Sequence, residues 1–153
     1  MRIGLISDTH GLLRPEALAA LAGVEGIIHA GDIGSQEVIA RLRVIAPVCA
    51  VRGNNDRGRW ADKLPLWLDL TRGGVRVHVL HDLKELAVGP EEEEDRFDVV
   101  VAGHSHKPSV VERGRVLLVN PGSAGPQRFR LPVTIGYLMI ADGSARAEIR
   151  SLL

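Results

Sequence analysis

Five short apolar runs in this chain end in side chains that can bind a metal ion. IGLIS runs into Asp8-Thr9-His10, and GIIHA runs into Gly31-Asp32. VCAV passes through Arg52 into Gly53-Asn54-Asn55-Asp56. VRVHVL ends in His81-Asp82, and FDVVVA ends in Gly103-His104-Ser105-His106. Asp8, His10, Asp32, Asn54, His81, His104 and His106 offer carboxylate, amide and imidazole donors, with no thiolate among them. Mixed nitrogen and oxygen donors suit Mn²⁺, Fe²⁺, Zn²⁺ or Ni²⁺, whereas Mg²⁺ and Ca²⁺ prefer oxygen alone. Several imidazoles gathered without a cation would leave polar groups competing for few partners. Seven donors are too many for one ion that must also admit a substrate. Two ions sharing a carboxylate use them well, and pairs about 3.5–4 Å apart clamp the oxygens of an in-line phosphoryl displacement.

Any one of these turns, taken alone, is an ordinary loop, because such loops favour Gly, Asp and Asn. The weight lies in five occurring together. Gly31, Gly53 and Gly103 each precede a candidate ligand. Glycine there is expected to let the backbone turn sharply and approach the ions closely.

Convergence requires the runs to be neighbouring strands, because sites in α/β sheets gather where the carboxyl ends of strands line up. The first half reads that way. Strands over Arg2–Ser7, Gly26–Ala30 and Val48–Val51 alternate with helices over Pro15–Ala22 and Gln36–Ala46. Proline starts the first helix and Ser35 is the expected N-cap of the second. This is the rhythm of parallel βαβ units. The second half reads as hairpins around Arg72-Gly73-Gly74, Arg113-Gly114-Arg115 and Asp142-Gly143-Ser144, with a further strand over Phe97–Ala102. Pro90–Asp95 (PEEEED) is a charge run, expected as a solvated helix start or loop without a function.

Composition narrows the function class. A length of 153 residues suits one domain with a full core. The formal net charge is +0, so no basic field would draw in a long nucleic acid. A single cysteine, Cys49, forms no internal disulfide. No apolar stretch is long enough for a bilayer, and Asp8 and His10 interrupt the apolar N-terminal run, so neither a membrane span nor a signal peptide is expected. A cytoplasmic protein is the expectation.

In their order, Asp8-x-His10, Gly31-Asp32, Gly53-Asn54-x-Asp56, strand-terminal His81 and Gly103-His104-x-His106 resemble the motif set of the calcineurin-like metallophosphoesterases. The chain looks like the short bacterial and archaeal phosphodiesterase branch, which the retromer small subunit also resembles. Asn120-Pro121-Gly122-Ser123 extends the likeness, which covers almost the whole chain. The resemblance implies an α/β fold, a two-sheet mixed β-sandwich flanked by helices, as one domain over 1–153. It implies two divalent transition-metal ions, manganese first, with iron, zinc or nickel as alternatives. Asp8, His10 and His106 would hold one ion and Asn54, His81 and His104 the other, with Asp32 bridging. Asp32, Asn54, Asn55 and His104 would form the catalytic set, with a metal-bridging hydroxide attacking phosphorus. The expected substrate is a small phosphate ester. The alternatives are a non-catalytic metal-binding scaffold of the retromer small subunit type and, third, a nuclease. Ligand completeness favours the enzyme over the scaffold, and the neutral charge disfavours the nuclease.

Two positions depart from the family pattern. Asn55 stands where many relatives have histidine, and asparagine cannot deliver a proton near neutral pH. Asp82 stands where relatives usually have glycine. It either orients His81 or caps the following segment, with capping favoured. Other polar and aromatic residues have plainer readings. His29 is expected as a buried, hydrogen-bonded core residue, His78 on the opposite face of its strand, and Cys49 in the core. Arg52, Arg57 and Arg59 either meet substrate phosphate or are ordinary surface arginines. Ser123 either meets phosphate or holds its own turn. Trp60 and Trp67 either pack under the Asn54 loop or form a contact surface for a second subunit, so a homo-oligomer stays open.

Overall fold

The computed structural model describes residues 1–153, apart from the side chains of Pro90 and Glu91. Two five-stranded mixed sheets face one another. The first holds β1 (Arg2–Ile6), β2 (Gly26–His29), β3 (Val48–Ala50), β9 (Thr134–Ala141) and β10 (Ser144–Ser151), in the order β10-β9-β1-β2-β3. The second holds β4 (Trp67–Arg72), β5 (Val75–Leu80), β6 (Val99–Val101), β7 (Ser109–Arg113) and β8 (Val116–Asn120), in the order β4-β5-β6-β8-β7. The parallel triplet β1-β2-β3 runs to the edge of the first sheet, with antiparallel β9 and β10 on its other side, whereas the parallel triplet β5-β6-β8 is central in the second, flanked by antiparallel β4 and β7. The expected two-sheet α/β sandwich is the observed fold.

Alternation along each strand builds the core, since successive side chains point to opposite faces. Ile3, Leu5, Ile28, Val75, Val77, Val79, Val99 and Val101 fill the space between the sheets. Ile6, Ile27, Ile135 and Tyr137 face the other way, against α1 (Pro15–Leu21) and α2 (Gln36–Arg43). Burying each such aliphatic side chain is worth about 1.5–3 kcal/mol relative to exposure. Gly4 brings α1 close, because a Cβ there would lie 2.3 Å from Leu21 Cδ2.

Several local expectations change. Both long helices end sooner than the apolar pattern does, α2 at Arg43 rather than Ala46. Ser35 has the extended backbone of an N-cap, but its side chain makes no capping hydrogen bond. A four-residue helix, α3 (Arg59–Asp62), is too short to leave a periodic signature. The charge run forms α4 (Pro90–Arg96) and is not wholly solvated. Glu93 is buried and accepts from Arg113 Nε at 3.2 Å. One turn of helix points one of the acids inward, where a buried carboxylate needs a partner, and β7 supplies the guanidinium. Among the described residues, no helix is long and apolar enough to cross a membrane.

Candidate metal centre

Parallel pairing places the ends of β1, β2 and β3 side by side, and those of β5 and β6 beside one another in the facing sheet. The loops after them are joined by backbone hydrogen bonds. Asp8 N donates to Gly31 O at 3.0 Å, His10 N to Asp32 O at 2.9 Å, and Gly103 N to His81 O at 2.9 Å. The strand ends therefore bring the candidate ligands together. Asp8, His10 and His106 form one group, and Asp8, Asp32 and His81 another, with the donor atoms within each group all within 4.8 Å of one another. Asp8 is the carboxylate common to both groups. Asp32 Oδ2 lies 3.3 Å from His81 Nε2 and 3.7 Å from His10 Nε2, so it too spans the expected sets. Asn54 and His104 sit exposed at the rim, with His104 Nδ1 3.2 Å from Asn54 Oδ1. The His104 ring stands edge-on to His81, centroids 5.2 Å apart.

The centre is left electrostatically incomplete by protein atoms alone. Asp8 Oδ1, His10 Nε2, His81 Nε2 and His106 Nδ1 are buried and have no hydrogen-bond partner. Four such atoms in one cleft are costly unless something else satisfies them. Backbone strain points the same way. Asp8, His10, Asp32, His104 and His106 all have positive φ, and only Phe129 and Asp142 join them among the non-glycine residues described. Strain of this kind costs on the order of 1–3 kcal/mol per residue and clusters at functional sites. The residues fit a divalent metal ion.

Titration behaviour reflects the crowding. Burial pushes the Asp8 carboxyl up, against the hydrogen bond from Ser7 and the charges of His81 and His106. Burial also acts to raise Asp32, but the His81 imidazole 3.3 Å away and the hydrogen bond from the Asn55 backbone outweigh it and hold the carboxyl well below its usual range. Burial acts to lower His81, but the neighbouring Asp32 carboxylate and the Ala30 carbonyl override it and raise the imidazole to about 8. His29, behind the site, is lowered to about 3 by burial first and by the His81 charge next.

Neighbours hold each donor in its orientation. Asp8 Oδ2 accepts from Ser7 Oγ at 2.7 Å and from His104 N at 3.1 Å, leaving Oδ1 free. His81 Nδ1 lies 2.7 Å from Ala30 O. A carbonyl only accepts, so Nδ1 carries a proton whatever the charge of the ring, and Nε2 is the nitrogen left to face a metal. Asp82 follows the favoured of its two readings: it accepts from Lys84 N and caps the 3-10 turn Leu83–Glu85, with Oδ2 3.7 Å from His104 Nε2. Asp56 ties two loops by accepting from Gly34 N and Gly53 N, both at 2.9 Å. Asn120 donates to Gly103 O and Ser105 Oγ, steadying the histidine loop.

Some expectations for single residues change here. Gly53 and Gly103 lack positive φ, so a sharp turn is not their reason. A Cβ on Gly53 would lie 2.1 Å from Asp32 N, and one on Gly103 2.0 Å from Ser7 Oγ. Close approach alone requires them. Asn55 does not face open substrate space only. Its backbone N–H donates to Asp32 Oδ1 at 2.9 Å and its Nδ2 to Asp32 Oδ2 at 3.0 Å. Ser123 is buried and donates to Asp8 O at 3.0 Å, so it holds the loop rather than a phosphate. Arg52 pairs with Asp62 at 3.4 Å. Cys49 is only half-buried. His29 is buried between Thr9 Oγ1, 3.0 Å from Nε2, and Gly31 N, which donates to Nδ1 at 3.1 Å.

Ser7, the most direct support of Asp8, was missed from sequence because it looked like the last residue of an apolar strand. Ser7→Ala should leave the fold intact and weaken metal binding about 10–100-fold, the usual range for such a partner. Metal titration calorimetry checks this, and unchanged affinity would remove Ser7 from the account.

Residues 1–143 match the model of a calcineurin-like phosphoesterase superfamily domain. A probable metallophosphoesterase of Methanothermobacter thermautotrophicus is 35% identical over 161 residues, covering 97% of this chain and 91% of that protein. The solved structure of a novel archaeal phosphodiesterase superimposes with a TM-score of 0.80 at 26% identity, covering 98% of this chain and all (100%) of that one. Chaetomium thermophilum Vps29 gives a TM-score of 0.79 at 21% identity, covering 98% and 96%, a likeness of fold alone.

Proposed function

The chain belongs to the calcineurin-like phosphoesterase superfamily, and from that premise we propose that it is a dinuclear-metal phosphodiesterase acting on small phosphate esters. The observation that carries the reading is the set of four buried, partnerless donor atoms, Asp8 Oδ1, His10 Nε2, His81 Nε2 and His106 Nδ1, in one cleft. Asp8, His10 and His106 would hold one ion and Asn54, His81 and His104 the other, with Asp32 between them. Manganese is the first choice for both ions. When bound, two such ions offset charge on the phosphate and make water acidic enough to serve as a nucleophile near neutral pH.

The chain's own residues supply position. Ser7 and the His104 N–H fix Asp8, Ala30 O fixes His81, and Asn55 fixes Asp32. Asn54 and His104 stand at the exposed rim where a phosphate would enter. Water oxygen bonds to phosphorus as one ester P–O bond breaks, giving a phosphomonoester and an alcohol or phenol. Asn55 has no proton to give, so the departing oxygen takes one from solvent. Substrates with good leaving groups are therefore favoured.

The test is release of 4-nitrophenol from bis(4-nitrophenyl) phosphate by Mn²⁺-loaded protein. Turnover should fall at least about 10²–10³-fold in Asp32→Asn, the scale for losing one electrostatic contact at the reacting centre. Wild-type turnover no greater than that of the variant would contradict the reading. It would favour the second one, a non-catalytic metal-binding scaffold, which draws support from the likeness of fold to Vps29.

A further inference from the structure

The outer face of the second sheet carries a cavity of about 630 Å³ between the floor formed by β4 and β5 and the segment that includes Leu86 and Val88. None of the seven expected metal ligands lines it. Its volume falls within the usual range for small-molecule sites, about 300–1,000 Å³.

Three rings cross its floor. Trp67 and His78 have centroids 5.6 Å apart at 31°, and His78 stacks on Phe97 at 4.4 Å and 26°. Trp67 is 58% exposed, while His78 is only 7% exposed. His78 Nδ1 lies 2.6 Å from Asp69 Oδ1. A carboxylate accepts, so Nδ1 carries the proton and Nε2 keeps a lone pair. Nε2 has no hydrogen-bond partner among the described residues. Nε2 stands apart from the buried, partnerless atoms of the metal centre, so a ligand filling the cavity would take over a solvent contact rather than relieve an unpaired group. The expected opposite-face placement of His78 is thus observed, since Val77 and Val79 on either side of it face the other sheet.

Charge limits what could bind. Asp69, Glu85 and Asp95 line the cavity against Arg76 and Arg96, and Arg76 is engaged by Asp98 at 3.1 Å. A phosphate or carboxylate would meet an acidic surplus. A neutral ring system would not, and an exposed indole face suits it.

We propose that this cavity is a second ligand site, for a neutral, planar heteroaromatic molecule that stacks on Trp67 and donates an edge N–H to His78 Nε2. The site is independent of the phosphodiesterase reading, because no residue is shared. Adenosine is a suitable probe, since it is uncharged and its exocyclic amine donates. AMP is the same ring carrying a phosphate, and indole tests stacking alone.

The experiment is NMR titration of the ¹⁵N-labelled, metal-loaded full chain, following the Trp67 indole signal assigned by its loss in Trp67→Phe. Adenosine and indole should shift it saturably, and AMP should bind more weakly than adenosine. His78→Leu should weaken adenosine binding at least about fivefold, the cost of a lost hydrogen bond at a buried group. Hydrolysis at the metal centre should be unchanged in that variant. Should His78→Leu fail to fold, Ala87→Trp fills the cavity from an exposed rim position and should abolish binding. Any of three results overturns the proposal: no saturable shift, AMP binding as tightly as adenosine, or a Trp67 signal that moves on dilution because a second copy occupies the groove.

Discussion

Stripping metal from the purified protein should lower its melting temperature by roughly 8–16 °C. An ion present at about a thousand times its dissociation constant stabilises the folded state by about 4 kcal/mol. In a chain of this length each kcal/mol moves the midpoint by about 2–4 °C. The physical source is the cleft itself. Asp8, His10, His81 and His106 present buried atoms without partners, and the residues that carry most of them are held at positive φ. A cation satisfies those atoms only in the folded chain. Without it, the charges of His81 and Asp32, 3.3 Å apart, offset part of the loss. Differential scanning fluorimetry before and after chelation, with metal restored afterwards, measures the shift. An unchanged curve after confirmed metal loss would show that the cleft is stable as pure protein.

Asn55→His should raise hydrolysis of alkyl phosphodiesters by up to about 10²–10⁴-fold, the usual value of general-acid assistance. Aryl esters should gain far less, because an aryl oxide departs without a proton more easily than an alkoxide. The structure adds a condition. Asn55 Nδ2 donates to Asp32 Oδ2 at 3.0 Å, so the substitution also removes a support of the carboxylate expected to bridge. Metal content must therefore be matched before rates are compared. The measurement is log rate against leaving-group pKa for graded esters on both proteins. Coincident slopes at equal metal content would mean that protonation is not limiting at this position.

What sequence disclosed was the positions where strands stop. Asp8, Asp32, His81 and His104 were recognisable because each follows an apolar run, and parallel pairing then brought those ends to one edge. The two-sheet sandwich followed from the same order of runs and hairpins. Contacts between distant segments were not legible. Nothing local to Ala30 says that its carbonyl orients His81, 51 positions away. Gly53 and Gly103 looked like turn residues, but their need arises from Asp32 and Ser7 on other strands. The cap that Asp82 makes on the following turn was legible, but its approach to His104, far along the chain, was not. Glu93 was hidden in a uniform acidic run, and only Arg113 on β7 distinguishes it from its neighbours. The cavity over Trp67 and His78 needed two strands, the end of α4 and a connecting segment, so no single motif announced it.

The central claim is that two ions share this cleft. Elemental analysis of protein saturated with Mn²⁺ and freed of excess metal tests it most directly, on the wild-type chain and on Asp32→Ala. The account predicts two ions per wild-type chain and fewer in the variant. One ion or none in the wild type at saturation, or two held as tightly in Asp32→Ala, would contradict it.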